Sequence, residues 1–210
     1  MKILNLYAGI GGNRKLWGEE HEVTAVENVP EIAAIYKELF PNDEVIITDA
    51  HQYLLEHYKE FDFIWSSPPC PSHSKMCFMS NGAEKKYPNM SLYQEIIFLK
   101  YWFRGEWIVE NVISYYMPLI MPQKIQGHYI WTNLNVSSNN VKSKRIKVKN
   151  KAGQTLNVKM KAKDMIIKDF HGYKGDKRTL LNNAIEGELG LHILNSSQIQ
   201  PLANSEVKED

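Results

Sequence analysis

Short apolar runs, each followed by a turn or an amphipathic stretch, recur through the first half of this 210-residue chain and dictate its fold class. The run "KILNL" leads into the glycines of "YAGIGG", and "NRKLWGEE" then reads as a helix. "EVTAVE" (Glu22 to Glu27) is a second strand, and Pro30 suits the first turn of a helix carrying Ile32, Ala33, Ile35, Tyr36 and Leu39. "EVIITDA" and "FDFIW" are the third and fourth strands, and "WIVENV" is the fifth, after the amphipathic "SLYQEIIFLKYWF". "HYIWTNLNV" is a later strand. Strands alternating with helices at this spacing predict βαβ units, hence an α/β fold with a mostly parallel central sheet and helices on both faces. The segment "KRIKVKNKAGQTLNVKMK" alternates at period two on either side of "KAGQ" and predicts a small β-hairpin insertion. The tail returns to a helix, "LLNNAIEGELGLHIL", and frays after it.

The bulk numbers narrow the class. A chain of 210 residues, 43% hydrophobic and 23% charged, can bury a sizeable core as one domain with a small appendage. "MKILNLYAGIGG" reaches its glycines too early for a signal peptide, and no apolar run is long enough to span a bilayer. Cys70 and Cys77 stand alone, with no second pair to suggest a metal site or a disulfide framework, so a reducing, cytoplasmic setting is expected. The net charge of +1 hides an asymmetry. Lys142 to Lys163 holds nine Lys or Arg and no acid, which leaves −8 for the remainder. A basic segment rides on an acidic body, although basic runs are more often solvated faces than binding sites.

Five strand ends carry chemistry. The turn Gly9-Ile10-Gly11-Gly12 lets backbone approach a ligand closely, as a nucleotide-like cofactor requires; a plain tight turn would look the same. Glu27 and Asp49 close strands two and three with carboxylates, on the sheet edge where open α/β folds bind ligands. After strand four, Pro68-Pro69-Cys70 stiffens a polar loop with Ser72, His73 and Ser74, which favours a working thiol over a packing residue. Cys77 lacks that setting and reads as structural. Glu110-Asn111 closes strand five, where an adjacent parallel strand would set the carboxyl beside the Cys70 loop, able to hold or share a proton.

"NLYAGIGG", Glu27-Asn28, Asp49, "PPC" and "ENV", in this order and spacing, resemble the motif series of DNA cytosine-5 methyltransferases. The resemblance covers roughly Met1 to Asn135 and resumes in the tail at Asn183-Ala184. It implies a Rossmann-like S-adenosylmethionine-dependent fold with S-adenosyl-L-methionine across the glycine turn. Tyr7, Gly9, Gly11 and Gly12 would shape that pocket; Glu27 would bind the ribose hydroxyls, and Asn28 and Val29 would flank the adenine. Asp49, with Ala50, would meet the adenine amino group, Pro68 would border the cofactor, and Asn183 and Ala184 would close the methionine end. The implied catalytic residues are Cys70, attacking carbon 6 of a flipped-out cytosine, and Glu110, holding ring nitrogen 3.

The departures from that family matter as much. Its opening aspartate is Asn5, the residue after the catalytic cysteine is Pro71 instead of glutamine, and a later phenylalanine is His73. "QGHYIWTNL" puts Gln126 and His128 where the family carries arginines that grip the base, which makes His128 a further catalytic candidate. The large recognition domain is reduced. The expected organisation is a core over 1–135, a basic target-recognition hairpin over 136–169, a returning helix over 170–195 and a flexible tail over 196–210. Ser72, His73 and Lys75 of the loop, with Lys142, Lys144, Arg145, Lys147 and Lys149 of the hairpin, would contact double-stranded DNA, through phosphates more than bases. That implies a short or relaxed target sequence and leaves room for help from a second copy, while the economy of the chain suits a phage or restriction-linked setting. Two alternatives stand: transfer RNA as the substrate, or a catalytically silent binding protein.

Overall fold

The computed structural model describes residues 1–75, 87–137 and 156–198. Seven strands form one sheet: β1 (Lys2–Leu6), β2 (Glu22–Val26), β3 (Glu44–Ile46), β4 (Phe63–Ser66), β5 (Glu106–Val112), β6 (Gln123–Ile125) and β7 (His128–Thr132). Their order is β3-β2-β1-β4-β5-β7-β6. The first five are parallel, whereas β7 runs antiparallel to both β5 and β6. β6 and β7 form a hairpin through Gln126 (φ 48°) and Gly127 (φ 88°), the two positive values that a tight two-residue turn needs.

Strands of a parallel sheet are covered on both faces, which is why they read as unbroken apolar runs. Side chains alternate between the faces. Ile3, Phe63, Trp65 and Ile108 pack with Trp17, Leu189 and Ile193 on one face. Leu4, Ile64 and Val109 pack with Leu54, Ile96 and Leu99 on the other. The covering helices include α1 (Pro30–Leu39), α2 (Ala50–His57), α3 (Ser91–Trp102), α4 (Leu156–Lys163), α5 (Lys177–Asn183) and α6 (Gly187–Gln198). Among the described residues no helix is long and apolar enough to cross a membrane.

This arrangement is a doubly wound α/β sheet with an antiparallel edge, and its topology chooses the site. β1 pairs with β2 on one side and β4 on the other, so the strand order reverses there. At such a switch point the loops leaving the two strands splay apart and open a crevice at their carboxyl ends. The loops leaving β1 and β4 are the glycine turn and the Pro68-Pro69-Cys70 segment.

Five local expectations are corrected. "NRKLWGEE" makes only one 3-10 turn, Arg14–Leu16, because Arg14 turns into the core and Gly18 (φ 84°) ends it. The second arm of the expected hairpin is helical over Leu156–Lys163. There Leu156 and Met160, one turn apart, pack on the cluster of Leu180, Leu181 and Ala184, while Val158 stays exposed. Tertiary packing of an i, i+4 pair thus overrides the period-two pattern. The first arm, Cys77, Lys142 to Lys151 and residues 199–210 lie outside the described residues, while 196–198, expected in a flexible tail, are helical, with Ser196 and Ser197 buried. The expected tail helix is two helices, α5 and α6, parted at Ala184 to Glu186. The third strand stops at Ile46, so Asp49 does not close it; Asp49 caps an unforeseen helix, α2, by accepting from the Gln52 amide at 2.8 Å.

Candidate active site

The turn after β1 is built for close approach. Gly9 has φ 55°, and a Cβ there would meet nothing within 4 Å, so its Cα faces open space. Gly11 (φ 76°) has no such room: a Cβ would strike Phe40 and Tyr36. Gly12 is also a packing glycine, since a Cβ would lie 2.4 Å from the Ile185 carbonyl oxygen between α5 and α6. Asn5, fully buried, receives an Asn13 amide hydrogen bond at 2.8 Å and so ties the strand to its turn. Glu27 locks the turn to β2. Its Oε2 accepts from the Gly9 amide and its Oε1 from the Val29 amide, each at 3.0 Å. Each oxygen keeps a further lone pair for a ligand hydroxyl.

Backbone carbonyls hold the loop after β4. The Asn111 side chain donates to the Pro68 carbonyl at 3.0 Å, which links the ends of β4 and β5. The Cys70 carbonyl accepts from the amides of His73 and Ser74 and closes a turn. His73 is 1% exposed, with its Nδ1 2.6 Å from the Tyr116 hydroxyl, and its carbonyl accepts from the Tyr115 amide. It anchors the loop from inside, whereas the sequence reading expects it to contact a duplex; its buried ring is not presented to one. Burial depresses the His73 imidazole below its ordinary value, which suits a neutral ring accepting from Tyr116. Ser72 is half-buried, its hydroxyl accepting from the Asn89 amide, and Lys75 is exposed. Cys70 is half-buried and lines the cleft.

A group without a place in the sequence reading joins these loops. Glu95 of α3 is fully buried and accepts from the Tyr7 hydroxyl at 2.5 Å and the Ser66 hydroxyl at 2.6 Å, with His51 Nδ1 at 3.2 Å. It thereby connects the glycine turn, the end of β4 and α2. The Tyr7 phenol is driven far upward, mainly by burial and then by Glu95. The signal for Glu95 was a single carboxylate inside the apolar "LYQEIIFL", on the turn that buries Leu92, Ile96 and Leu99.

Glu110 and His128 complete the far wall. In the β5–β7 register Glu110 pairs with Ile130 and Val112 with His128, so Glu110 and His128 are diagonal neighbours on one face. His128 Nδ1 lies 2.6 Å from Glu110 Oε1. Burial works against a charged imidazole, but the hydrogen bond and charge of Glu110, with help from Glu186, outweigh it and the opposing Lys163. The His128 value is raised.

These parts surround one cleft of about 360 Å³. Of the expected residues, Tyr7, Gly9, Gly12, Glu27, Asn28, Pro68, Cys70, Glu110, His128, Asn183 and Ala184 line it. Gly11, Val29, Asp49 and Ala50 are not in its lining, though Val29 is tied to Glu27. The sequence reading missed Ile10, Ile32 and Leu180, which give the cleft an apolar wall. It also missed Asn182, for which no sequence signal existed. Among the described residues no group of three or more His, Cys, Asp or Glu side chains is gathered as a metal site.

A triple mutant of DNMT2 from Spodoptera frugiperda is 28% identical over 53% of this chain and 35% of its own, with a TM-score of 0.39. An S-adenosylmethionine-dependent methyltransferase from Agrobacterium tumefaciens is 15% identical over 55% of this chain and 40% of its own, with a TM-score of 0.41. The Entamoeba histolytica methyltransferase EhMeth is 14% identical over 53% and 38%, with a TM-score of 0.37. The chain thus spans well under half the length of each of these three proteins. No curated relative matches. The family model for C-5 cytosine-specific DNA methylases matches residues 1–112, more than half of the chain and the whole stretch from the glycine turn to Val112. The chain belongs to the C-5 cytosine-specific DNA methylase family, whose cofactor is S-adenosylmethionine.

Proposed function

We propose that this chain methylates carbon 5 of cytosine in double-stranded DNA through a covalent adduct at Cys70. The observation that carries the reading is that Cys70 and Glu110 share one cleft with the glycine turn and Glu27. The residues present fit the cofactor. Two carboxylate oxygens of Glu27, each with a lone pair left, suit the vicinal hydroxyls of a ribose. Gly9 leaves space above its Cα, and Asn28, Asn183 and Ala184 line the same cleft, where Asn28 would meet the adenine and Asn183 and Ala184 the methionine end. Bound there, S-adenosylmethionine supplies an electrophilic methyl group.

The protein's own task is to make carbon 5 of cytosine nucleophilic. Attack of the Cys70 thiolate on carbon 6 breaks the 5,6 double bond and pushes electron density to carbon 5 and ring nitrogen 3. Glu110 supports that density at nitrogen 3. A half-buried thiol cannot reach a base stacked in a duplex, so the target base must swing out. After alkylation, loss of the carbon-5 proton lets the thiolate leave.

A duplex carrying 5-fluorocytosine tests this, because fluorine cannot depart as a cation and the adduct persists. The expected result is a covalent complex that requires Cys70. A silent binding protein would bind the cofactor and give no adduct, and parallel assays on duplex DNA and transfer RNA separate the two substrates. Glu110→Gln should lower turnover by roughly 10²- to 10³-fold with cofactor affinity nearly unchanged, since the carboxyl acts on the forming adduct. Equal losses in both would remove its assigned role.

DNA engagement is assigned to the basic segment. Lys163 is spent internally on the Ala184 carbonyl and on Glu186, and Lys159 reaches Asn182. Lys142, Lys144, Lys147 and Lys149 are therefore the residues to neutralise. The quadruple variant should lower DNA affinity at every sequence and reduce the slope of log affinity against log salt by about 3 to 4. An unchanged slope would sink this role.

A further inference from the structure

Glu110 faces a titratable partner rather than a fixed one. The partner is His128, whose Nδ1 lies 2.6 Å from Glu110 Oε1, and both side chains line the cleft that holds Cys70. The pair is mostly withdrawn from water, with 8% of the Glu110 side chain and 23% of the His128 side chain exposed. From the cleft side, then, Glu110 has an imidazole behind it and a second carboxylate oxygen free to meet a ligand. We propose that His128 is the proton source of the reaction, delivering a proton through Glu110 to ring nitrogen 3 as the Cys70 thiolate adds to carbon 6. This rests on the cytosine methyltransferase reading of the site and deepens it.

The step balances. One thiolate, one imidazolium and one neutral cytosine become a neutral adduct and a neutral imidazole. The new bond joins Cys70 Sγ to carbon 6, while the 5,6 π bond shifts into conjugation with nitrogen 3. The Nδ1 proton of His128 moves to Glu110 Oε1, the carboxyl group turns, and that same proton passes to nitrogen 3, so Glu110 is a carboxylate before and after the step. The negative charge brought by the thiolate is therefore not left on the ring in a cleft with an apolar wall, where it would be costly. When the thiolate later leaves, nitrogen 3 returns its proton to the pair, and only the carbon-5 proton goes to solvent.

The groups facing His128 set which form it takes. Glu110 on β5 and Glu186 between α5 and α6 favour the imidazolium, while Lys163 at the end of α4 opposes it, and Lys163 is itself neutralised by its 3.0 Å contact with Glu186. A guanidinium at this position would hold the charge but would not yield its proton. Histidine can do both within the physiological range.

The reading predicts a bell-shaped pH profile for adduct formation on the 5-fluorocytosine duplex. The rate rises with pH as the thiol ionises, then falls about tenfold per pH unit once the imidazolium is lost. His128→Gln should form adduct roughly 10²- to 10⁴-fold more slowly at its best pH. His128→Arg, a fixed cation, should be slow and lose the alkaline limb. The His128 imidazole, followed by NMR in the full chain without DNA, should titrate above its ordinary value and move down in Glu110→Gln. Adduct formation by His128→Gln at the wild-type rate, an unchanged alkaline limb in His128→Arg, or a His128 midpoint indifferent to Glu110→Gln would each overturn the proposal. The two readings fail differently: a wild-type chain giving no Cys70-dependent adduct loses both, whereas a normal adduct with an unmoved profile loses only the proton relay.

Discussion

Cys70→Ala should abolish the covalent complex with 5-fluorocytosine DNA and reduce methyl transfer by on the order of 10⁴-fold or more, the usual cost of removing a nucleophile that works as part of a unit. The same variant should fold and bind cofactor almost as the wild type does. The loop owes its shape to the Asn111 bond on the Pro68 carbonyl and to the amides of His73 and Ser74 on the Cys70 carbonyl, none of which involves sulfur. Cys70 is half-buried and lines a cleft, so truncating its side chain to a methyl group opens no enclosed cavity, and a stability change within about 1 kcal/mol is expected. Three measurements on one preparation decide the matter: gel-resolved adduct, tritium transfer to duplex DNA, and cofactor titration. A variant that keeps transfer within tenfold of wild type would exclude Cys70 as the attacking group. One that loses cofactor affinity as well would make Cys70 a pocket residue instead.

The legible parts of this protein were those whose cause is local. Buried parallel strands must be apolar throughout, so β1, β2, β4 and β5 stand out as runs whatever the rest of the chain does. A backbone that must pass close to a ligand needs glycine, and Gly9 shows that need in its positive φ and the open space above it. Glu27, Cys70 and Glu110 sit within a few residues of strand ends, and strand ends of such a sheet converge by construction. The illegible parts have distant causes. Glu95 meets Tyr7 across 88 residues of sequence and Ser66 across 29, and only the folded sheet brings them together. His73 reads as an exposed polar loop residue until Tyr116, from a separate loop, takes its ring. Leu156 to Lys163 alternates like a strand, yet it is helical because the surface formed by α5 accepts Leu156 and Met160 from one helix face. Local propensity was outvoted wherever a neighbour from another part of the chain supplied the packing.

Asp43→Ala is expected to cost the fold about 3–5 kcal/mol, the largest stability loss among substitutions outside the apolar core. Asp43 and Arg14 are 2% and 1% exposed, and the guanidinium meets the carboxylate with two parallel bonds of 2.9 Å. The Tyr36 hydroxyl adds a third bond to the same carboxylate at 2.7 Å, and the guanidinium lies 5.3 Å from the centre of the Phe40 ring. Attraction within such a pair roughly repays the cost of taking both charges out of water, so the intact pair stabilises little by itself. Removing one member is different, because Arg14 cannot shed its proton, and the carboxylate that remains near it, Glu19 at 3.8 Å, is largely in solvent. The damage should reach the cleft. Arg14 follows Gly12 by two residues, and Tyr36 and Phe40, which hold the pair, are the rings that Gly11 packs against. Cofactor affinity should therefore fall along with stability in denaturant titrations. The double replacement Arg14→Met with Asp43→Leu separates the two contributions, since it removes both charges and keeps the volume. Recovery of most of the lost stability would show that the single variant suffers from a stranded buried cation. A double variant as unstable as Asp43→Ala would mean instead that the geometry of the pair, through Tyr36 and the glycine turn, is what the fold requires.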